Sequence, residues 1–336
     1  MKMLLAALAG VVVLLSTLVA LVFGYFEYKQ LPIYNLKTAA KFLAGKSNYK
    51  NYEGIVEKLG YSEGDKLLII HADDLGLSKS VNNASFSALK NGHVSSGSIM
   101  MTCDYVAEVR EFVNENPGFD LGLHLTVTSE WRDYKWSGIL NPQETPSLIN
   151  DKGVFLETPK QFVLNAKPSE LKKELQAQID LSRSMGLNPT HIDSHEGALF
   201  FNEDLFRVYL EVGEENKLPA FVPKGVAIHF DKNFPKPKNL VVIENFYMAE
   251  SGLGHDKWES FYLNVLDSVM PGLNQLVVHL GYDDDEMRAI CVDHPNFGSK
   301  WRNLDYNIVS SDIFKEGLKR NKIKLVTWGE IQKAVY

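Results

Sequence analysis

Leu67-Leu68-Ile69-Ile70-His71-Ala72-Asp73-Asp74-Leu75-Gly76-Leu77-Ser78 is the stretch on which the fold turns. Apolar residues in a row, without alternation, mark a short strand buried on both faces, as in parallel sheets covered by helices. The run ends in His71, Asp73 and Asp74. Ser78 then offers a hydroxyl N-cap to a helix reaching about Asn91, with Gly92 as its stop.

The same alternation continues downstream. Ser96–Met101 reads as a strand, Tyr105–Asn116 as a helix and Asp120–Val127 as a strand. A long aromatic-rich segment, Thr128–Lys167, carries Pro142, Pro146 and Pro159. Pro168–Leu187 has the spacing of an amphipathic helix, Thr190–Ser194 reads as a strand and Glu203–Glu215 as a helix. Further short strands fit Ala220–Val222, Leu240–Ile243, Gln275–His279 and Ile323–Thr327. Strands alternating with helices imply a parallel sheet, and this many predict an α/β fold of the distorted (β/α) barrel type over residues 65–336.

Upstream, no charge occurs from Met3 to Phe23, a run long enough to cross a bilayer as a helix. Lys2 precedes it, which favours an N-in orientation with the remainder outside the cytoplasm. The run ends Val22-Phe23-Gly24-Tyr25-Phe26, with aromatics suited to an interfacial belt rather than a small-x-small cleavage site. Residues 1–26 therefore read as a transmembrane anchor, with secretion after signal cleavage as the alternative. Residues 27–64 read as a stalk, with short helical patterns in Leu36–Leu43 and Tyr52–Leu59 broken by Gly45 and Lys46–Asn51.

The composition narrows the function classes. With 45% hydrophobic and 23% charged residues the chain is an ordinary globular protein. A net charge of −7 argues against a nucleic-acid partner. The two cysteines, Cys103 and Cys291, are far apart, which argues against a disulfide framework or a thiolate metal site. A homodimer is compatible with the sequence.

Polar clusters fall at the C-terminal ends of the proposed strands, the rim where parallel barrels build active sites. Asp73 and Asp74 could be a simple turn, but Ser78 is the better cap. Two acids closing a buried strand need a counter-charge, which a metal ion would supply. His124, in an otherwise apolar strand, is by itself most simply a hydrogen-bonded core residue. His191, Asp193 and His195 alternate, so on a strand they share one side. One carboxylate and two imidazoles from different strand ends would form a facial two-His, one-carboxylate site with open positions, with Asp193 orienting a ligand. His279 closes a further strand, and the acids Asp283–Glu286 behind it read as a solvated loop. Trp131, Tyr134 and Trp136 suit either stacking against sugar rings or packing of their loop onto the barrel.

Together these motifs resemble the YdjC-like carbohydrate deacetylase family, which includes chitooligosaccharide deacetylases and a hopanoid-pathway relative. The family's A-D-D-F-G-L-S is matched by Ala72-Asp73-Asp74-Leu75-Gly76-Leu77-Ser78, its G-x-H-x-x-L-T by Gly122-Leu123-His124-Leu125-Thr126-Val127-Thr128. Its P-T-H-x-D-S-H is matched by Pro189-Thr190-His191-Ile192-Asp193-Ser194-His195, and its C-H-P-G-Y by Val278-His279-Leu280-Gly281-Tyr282. The resemblance implies a distorted barrel akin to the glycoside hydrolase/deacetylase barrels and one divalent ion, Mg²⁺ or Zn²⁺, on Asp74, His124 and His195. It further implies Asp73 as base and His279, as an imidazolium, as acid. His71 stands where the family more often has Asn, which makes it a further ligand or, with His191 and Asp193, a support behind the ligands. Leu280 replaces the family's Pro, and His195-Glu196-Gly197 lacks the family's following His. The implied activity is metal-dependent removal of acetyl groups, most simply N-acetyl, from an oligosaccharide or glycan. The rivals are a glycoside hydrolase on a similar barrel, using two carboxylates, and an inactive membrane-tethered glycan-binding protein.

Overall fold

The computed structural model describes residues 2–28, 31, 33, 36–44, 54–230 and 233–336. The central strand is β1 (Lys66–Leu75), longer than its apolar run because the polar residues continue it. It is joined by β2 (Ser96–Ile99), β3 (Leu121–Leu125), β4 (Ile192–Ser194), β5 (Asn245–Tyr247), β6 (Gly272–Val278) and β7 (Ile323–Leu325). All pairings are parallel, in the order β4-β3-β2-β1-β6-β5, with β7 also on β1.

This ladder is an open half-barrel. Single bridges carry it round: Ile192 to Ala220, then Pro223 to Ile243, which leads into β5. The strands expected at Ala220–Val222 and Leu240–Ile243 are therefore reduced to isolated bridges, and the ladder there forms at Asn245–Tyr247 instead. Pro219, Pro223 and Pro237 punctuate this stretch, and proline cannot donate to a sheet.

Alternation along β1 sorts its side chains. Leu68, Ile70 and Ala72 join the large core under the surrounding helices. Leu67 and Ile69 join a second cluster with Phe221, Val241, Ile243, Leu273, Val326 and Trp328. The next residues on this face are His71 and Asp73, so one column passes from apolar to ionisable toward the C-terminal rim.

The region read as a stalk does not stand off from the barrel. Helix Leu36–Ala44 buries Thr38 and Ala39, and Lys37 and Lys41 each lie 3.0 Å from Glu203. Helix Ile55–Lys58 packs Ile55 and Val56 into the second cluster beside Ile331 and Val335. These apolar residues are what draws the segment in. Gly45, Lys46–Asn51 and Tyr52 lie outside the described residues. Helix Lys2–Tyr28 contains Ala7–Glu27, whose 21 residues are long and apolar enough to span a membrane.

Gly122 shows how tightly the interior is filled. A Cβ there would run into the His191 ring, which is stacked on Trp328 at 5.0 Å between centroids and touches His71. The ring has nowhere to go. Gly122→Ala should destabilise by about 1–3 kcal/mol, lowering Tm by about 2–4 °C per kcal/mol. Thermal unfolding of the variant checks this, and an unchanged Tm would mean that the His191 pocket yields.

Candidate active site

The rim gathers Asp73, Asp74, His124, Asp193, His195 and His279 into one buried group. At the end of β1 the register to β2 slips between Ala72 and Leu75. Asp74 there takes φ of 67°, a left-handed conformation uncommon outside glycine. Asp can hydrogen-bond locally and tolerates it better than most. The bulge lets neighbouring Asp73 and Asp74 both serve the site, where a flat strand would send them to opposite faces. Strain of this kind persists where surrounding contacts over-determine it, often at functional sites.

Asp74 is divided between two duties. Its Oδ2 accepts from Arg302 Nη2 at 2.7 Å. Its Oδ1 is buried and accepts no hydrogen bond, yet lies 3.2 Å from His124 Nε2 and 3.5 Å from His195 Nδ1. Burial would raise the carboxyl's pKa, but Arg302 and the imidazoles hold it well below the usual range. The other nitrogen of each ring is taken. His124 Nδ1 donates to Asp193 Oδ1 at 2.7 Å, and His195 Nε2 faces Glu130 Oε2 at 3.1 Å. One carboxylate oxygen without a hydrogen bond and two imidazole nitrogens thus converge, with the rings oriented from behind. This donor set fits a divalent ion.

Behind this set lies a chain of contacts. Asp73 Oδ1 accepts from His71 Nδ1 at 2.7 Å. His71 Nε2 meets His191 Nε2 at 2.8 Å, and His191 Nδ1 meets the Thr190 hydroxyl at 3.0 Å. His71 is therefore tied to Asp73 and faces away from the Asp74 set. Asp73 keeps Oδ2 free, 3.9 Å from His124 Nε2 and 4.0 Å from His279 Nε2. The His279 backbone N–H is pinned by Asp305 Oδ2 at 2.9 Å.

Two expectations are corrected. Trp131 and Trp136 are 1% and 4% exposed, so neither can stack on a sugar as placed. Trp136 donates from Nε1 to Thr128 O, Trp131 lies under the Arg302 guanidinium, and the half-buried Tyr134 donates to Leu77 O. Large aromatic rings gain much from burial, and these two indoles turn inward with their loop. Nor does His279 rest as an imidazolium. Burial pushes it down to about 4 despite Asp74 and Asp73 nearby, so it is neutral at ordinary pH.

Sequence reasoning missed Arg302 and Glu130. Arg302 had a signal: in helix Ser299–Val309 the inward stripe is Trp301, Arg302, Asp305, Ile308 and Val309. A charge on an apolar stripe needs a buried partner. Glu130, in the irregular loop after β3, had none.

Comparison with known proteins gives the chain's family and fold. Residues 67–320 match the family model described as YdjC-like protein. A carbohydrate deacetylase of Thermus thermophilus is 29% identical over 296 residues, covering 84% of this chain and 99% of that one. A carbohydrate deacetylase of Clostridium beijerinckii is 30% identical, over 66% of this chain and 83% of its own. A solved structure described as a cellobiose-phosphate cleavage protein, from Enterococcus faecalis, shares the fold with a TM-score of 0.66 at 24% identity, over 79% of this chain and 98% of that one.

The charges carry a pH signature in metal-free protein. Burial lowers the His195 pKa, but Glu130 and Asp74 outweigh it and raise it to about 10. His124 is also raised, by Asp193 and Asp73 against burial. Stability from these rings is present below their ordinary value near 6.5 and lost as pH rises toward 10. Asp193, which burial would raise, is held down at about 2 by His124, so its contribution is lost as pH falls toward 2. Chelator-treated protein should therefore lose Tm steadily from about pH 6.5 to 10, and Glu130→Gln should flatten that slope. A slope unchanged in Glu130→Gln would count against the assigned cause.

Proposed function

Because the chain belongs to the YdjC-like family, we propose that it is a metal-dependent hydrolase that removes N-acetyl groups from a carbohydrate. The observation that carries this is the buried Asp74 Oδ1, without a hydrogen bond and facing His124 and His195, beside an Asp73 with one free oxygen. The family relatives named carbohydrate deacetylases support the substrate class.

Asp74, His124 and His195 would hold one divalent ion. Two imidazoles suit Zn²⁺, and the family resemblance admits Mg²⁺. When bound, the ion polarises the acetyl carbonyl and lowers the pKa of a water beside it. Asp73 does the proton work. His71 fixes its Oδ1, and Oδ2 takes the water's proton as oxygen attacks the carbonyl carbon. His279, neutral at rest, receives that proton across the gap to Asp73 and delivers it to the nitrogen as the C–N bond breaks. Acetate and a free amino sugar leave. The intact acid and imidazole set weighs against an inactive binding protein.

Asp73→Asn should keep the ion and the fold and lower kcat by ~10²–10⁴-fold, the worth of a positioned base. Asp74→Asn, His124→Ala and His195→Ala should each lose the ion or weaken it at least ~10-fold. Metal analysis with acetate release from acetylated glycans, with and without chelator, checks both. Release of smaller sugars without acetate would point instead to glycosidic cleavage. Since His279 rests neutral, wild type and His279→Ala should share the same alkaline limb of kcat/KM. A limb lost only in His279→Ala would restore the imidazolium.

Residues 1–26 would anchor the barrel on the outer side of a membrane, as Lys2 ahead of an uncharged run favours. Full-length protein should remain in the membrane fraction with its N-terminus intact. Soluble protein beginning near Tyr25 would indicate cleavage.

A further inference from the structure

We propose that the acetylated sugar is carried on a membrane lipid, and that the catalytic rim is held against the bilayer surface to meet it. This rests on the deacetylase and anchor readings above. The large apolar side chains between Leu8 and Leu21 are exposed, from 37% at Val19 to 72% at Leu14. At Phe26 this changes abruptly: Phe26 is 1% exposed, packed with Ile33 and Ala39 against Phe42 and Phe201. Glu27 pairs with Lys160 at 2.7 Å. The apolar rod ends where the barrel begins.

What it meets there belongs to the rim. Phe201 follows β4 in the same connection that opens with His195, and Glu203, the partner of Lys37 and Lys41, is two residues on. Lys160 lies in helix Pro159–Asn165, in the connection after β3 that also holds Glu130. Connections leaving the strands toward helices form the catalytic face of a parallel barrel. The bilayer surface therefore lies level with the loops that carry His195 and Glu130. Exposed apolar side chains crowd the junction: Tyr25, Leu36 and Leu43 on the chain leaving the anchor, and Leu164 on the rim helix. Tyrosine at such a depth is at home in the headgroup layer. The link is packed and ion-paired, so it sets orientation as well as proximity. A freely diffusing glycan gains nothing from a fixed orientation, whereas a sugar confined to the membrane plane gains a high effective concentration at a mouth that faces it.

The test uses full-length protein in phosphatidylcholine/phosphatidylglycerol vesicles. The same set of N-acetylated sugars is offered as dialkylglycerol glycosides in the bilayer and as water-soluble oligosaccharides, with acetate as readout. The lipid-borne form should be hydrolysed with at least about tenfold higher kcat/KM. A twenty-residue Gly-Ser insertion between Gly24 and Tyr25, ahead of the packed Phe26 and the paired Glu27, and separately Lys160→Glu, should lower turnover of the lipid-borne form and leave that of the soluble form unchanged. Equal turnover of the two forms, or a ratio that survives the insertion, would overturn the inference. Acetate from the soluble form alone would overturn it and leave the deacetylase reading standing, whereas no acetate from either form would overturn both.

Discussion

Carboxylates withdrawn from water set the terms for the rest of the rim. Asp73, Asp74 and Asp193 are each under 10% exposed, and an uncompensated ion so placed would cost several kcal/mol. Each is compensated by a different element: Asp73 by His71 on its own strand, Asp193 by His124 on β3, Asp74 by Arg302 on a helix far along the chain. Removing any one partner leaves a charge stranded, so strands β1, β3 and β4 and helix Ser299–Val309 are coupled through electrostatics as firmly as through apolar packing. Asp74 Oδ1, buried without a hydrogen bond and facing the imidazoles of His124 and His195, is what gives the site its chemical direction.

The barrel interior explains how one strand can serve both stability and chemistry. Leu67 and Ile69 are closed off by Trp328 and the helix at Ile55, while His71 and Asp73 face the ionisable half. Ser98 and Gly122 are small where the imidazoles of His124 and His191 need room. The Gly of the G-x-H motif is thus explained by a ring behind it, with no need of special backbone freedom.

Much of this was legible in the sequence, for identifiable reasons. Unbroken apolar runs bounded by polar residues identify buried strands, and Ser78 does cap its helix through Val81 N–H. The motif residues converge because each closes a strand, and strand ends of a parallel sheet share a face. What stayed hidden depended on distance in the chain. Arg302 is 228 residues from Asp74, and no spacing rule joins them. Nothing local marks the Trp131–Trp136 loop as buried, since irregular segments usually lie at the surface, but Trp136 donates from its indole to Thr128 O and from its backbone to Ser129 Oγ, and Arg302 covers Trp131. The bridges at Ala220 and Ile243 show the limit of reading strands from apolar composition where prolines interrupt the ladder.

The pairing of β1 has a consequence for the order in which the molecule can be assembled. Lys66–Ala72 is flanked on one side by β6, in register with Gly272–Val278, and its first residues are flanked on the other by β7 at Ile323–Leu325. During synthesis the central strand therefore waits through more than two hundred residues with one edge bare. Its own Leu67 and Ile69 are not fully covered until Trp328 emerges. Such non-local closure is slow, and bare strand edges invite wrong partners. The nascent chain must be kept from aggregating over that interval, and the burden falls on whatever escorts it before the barrel shuts.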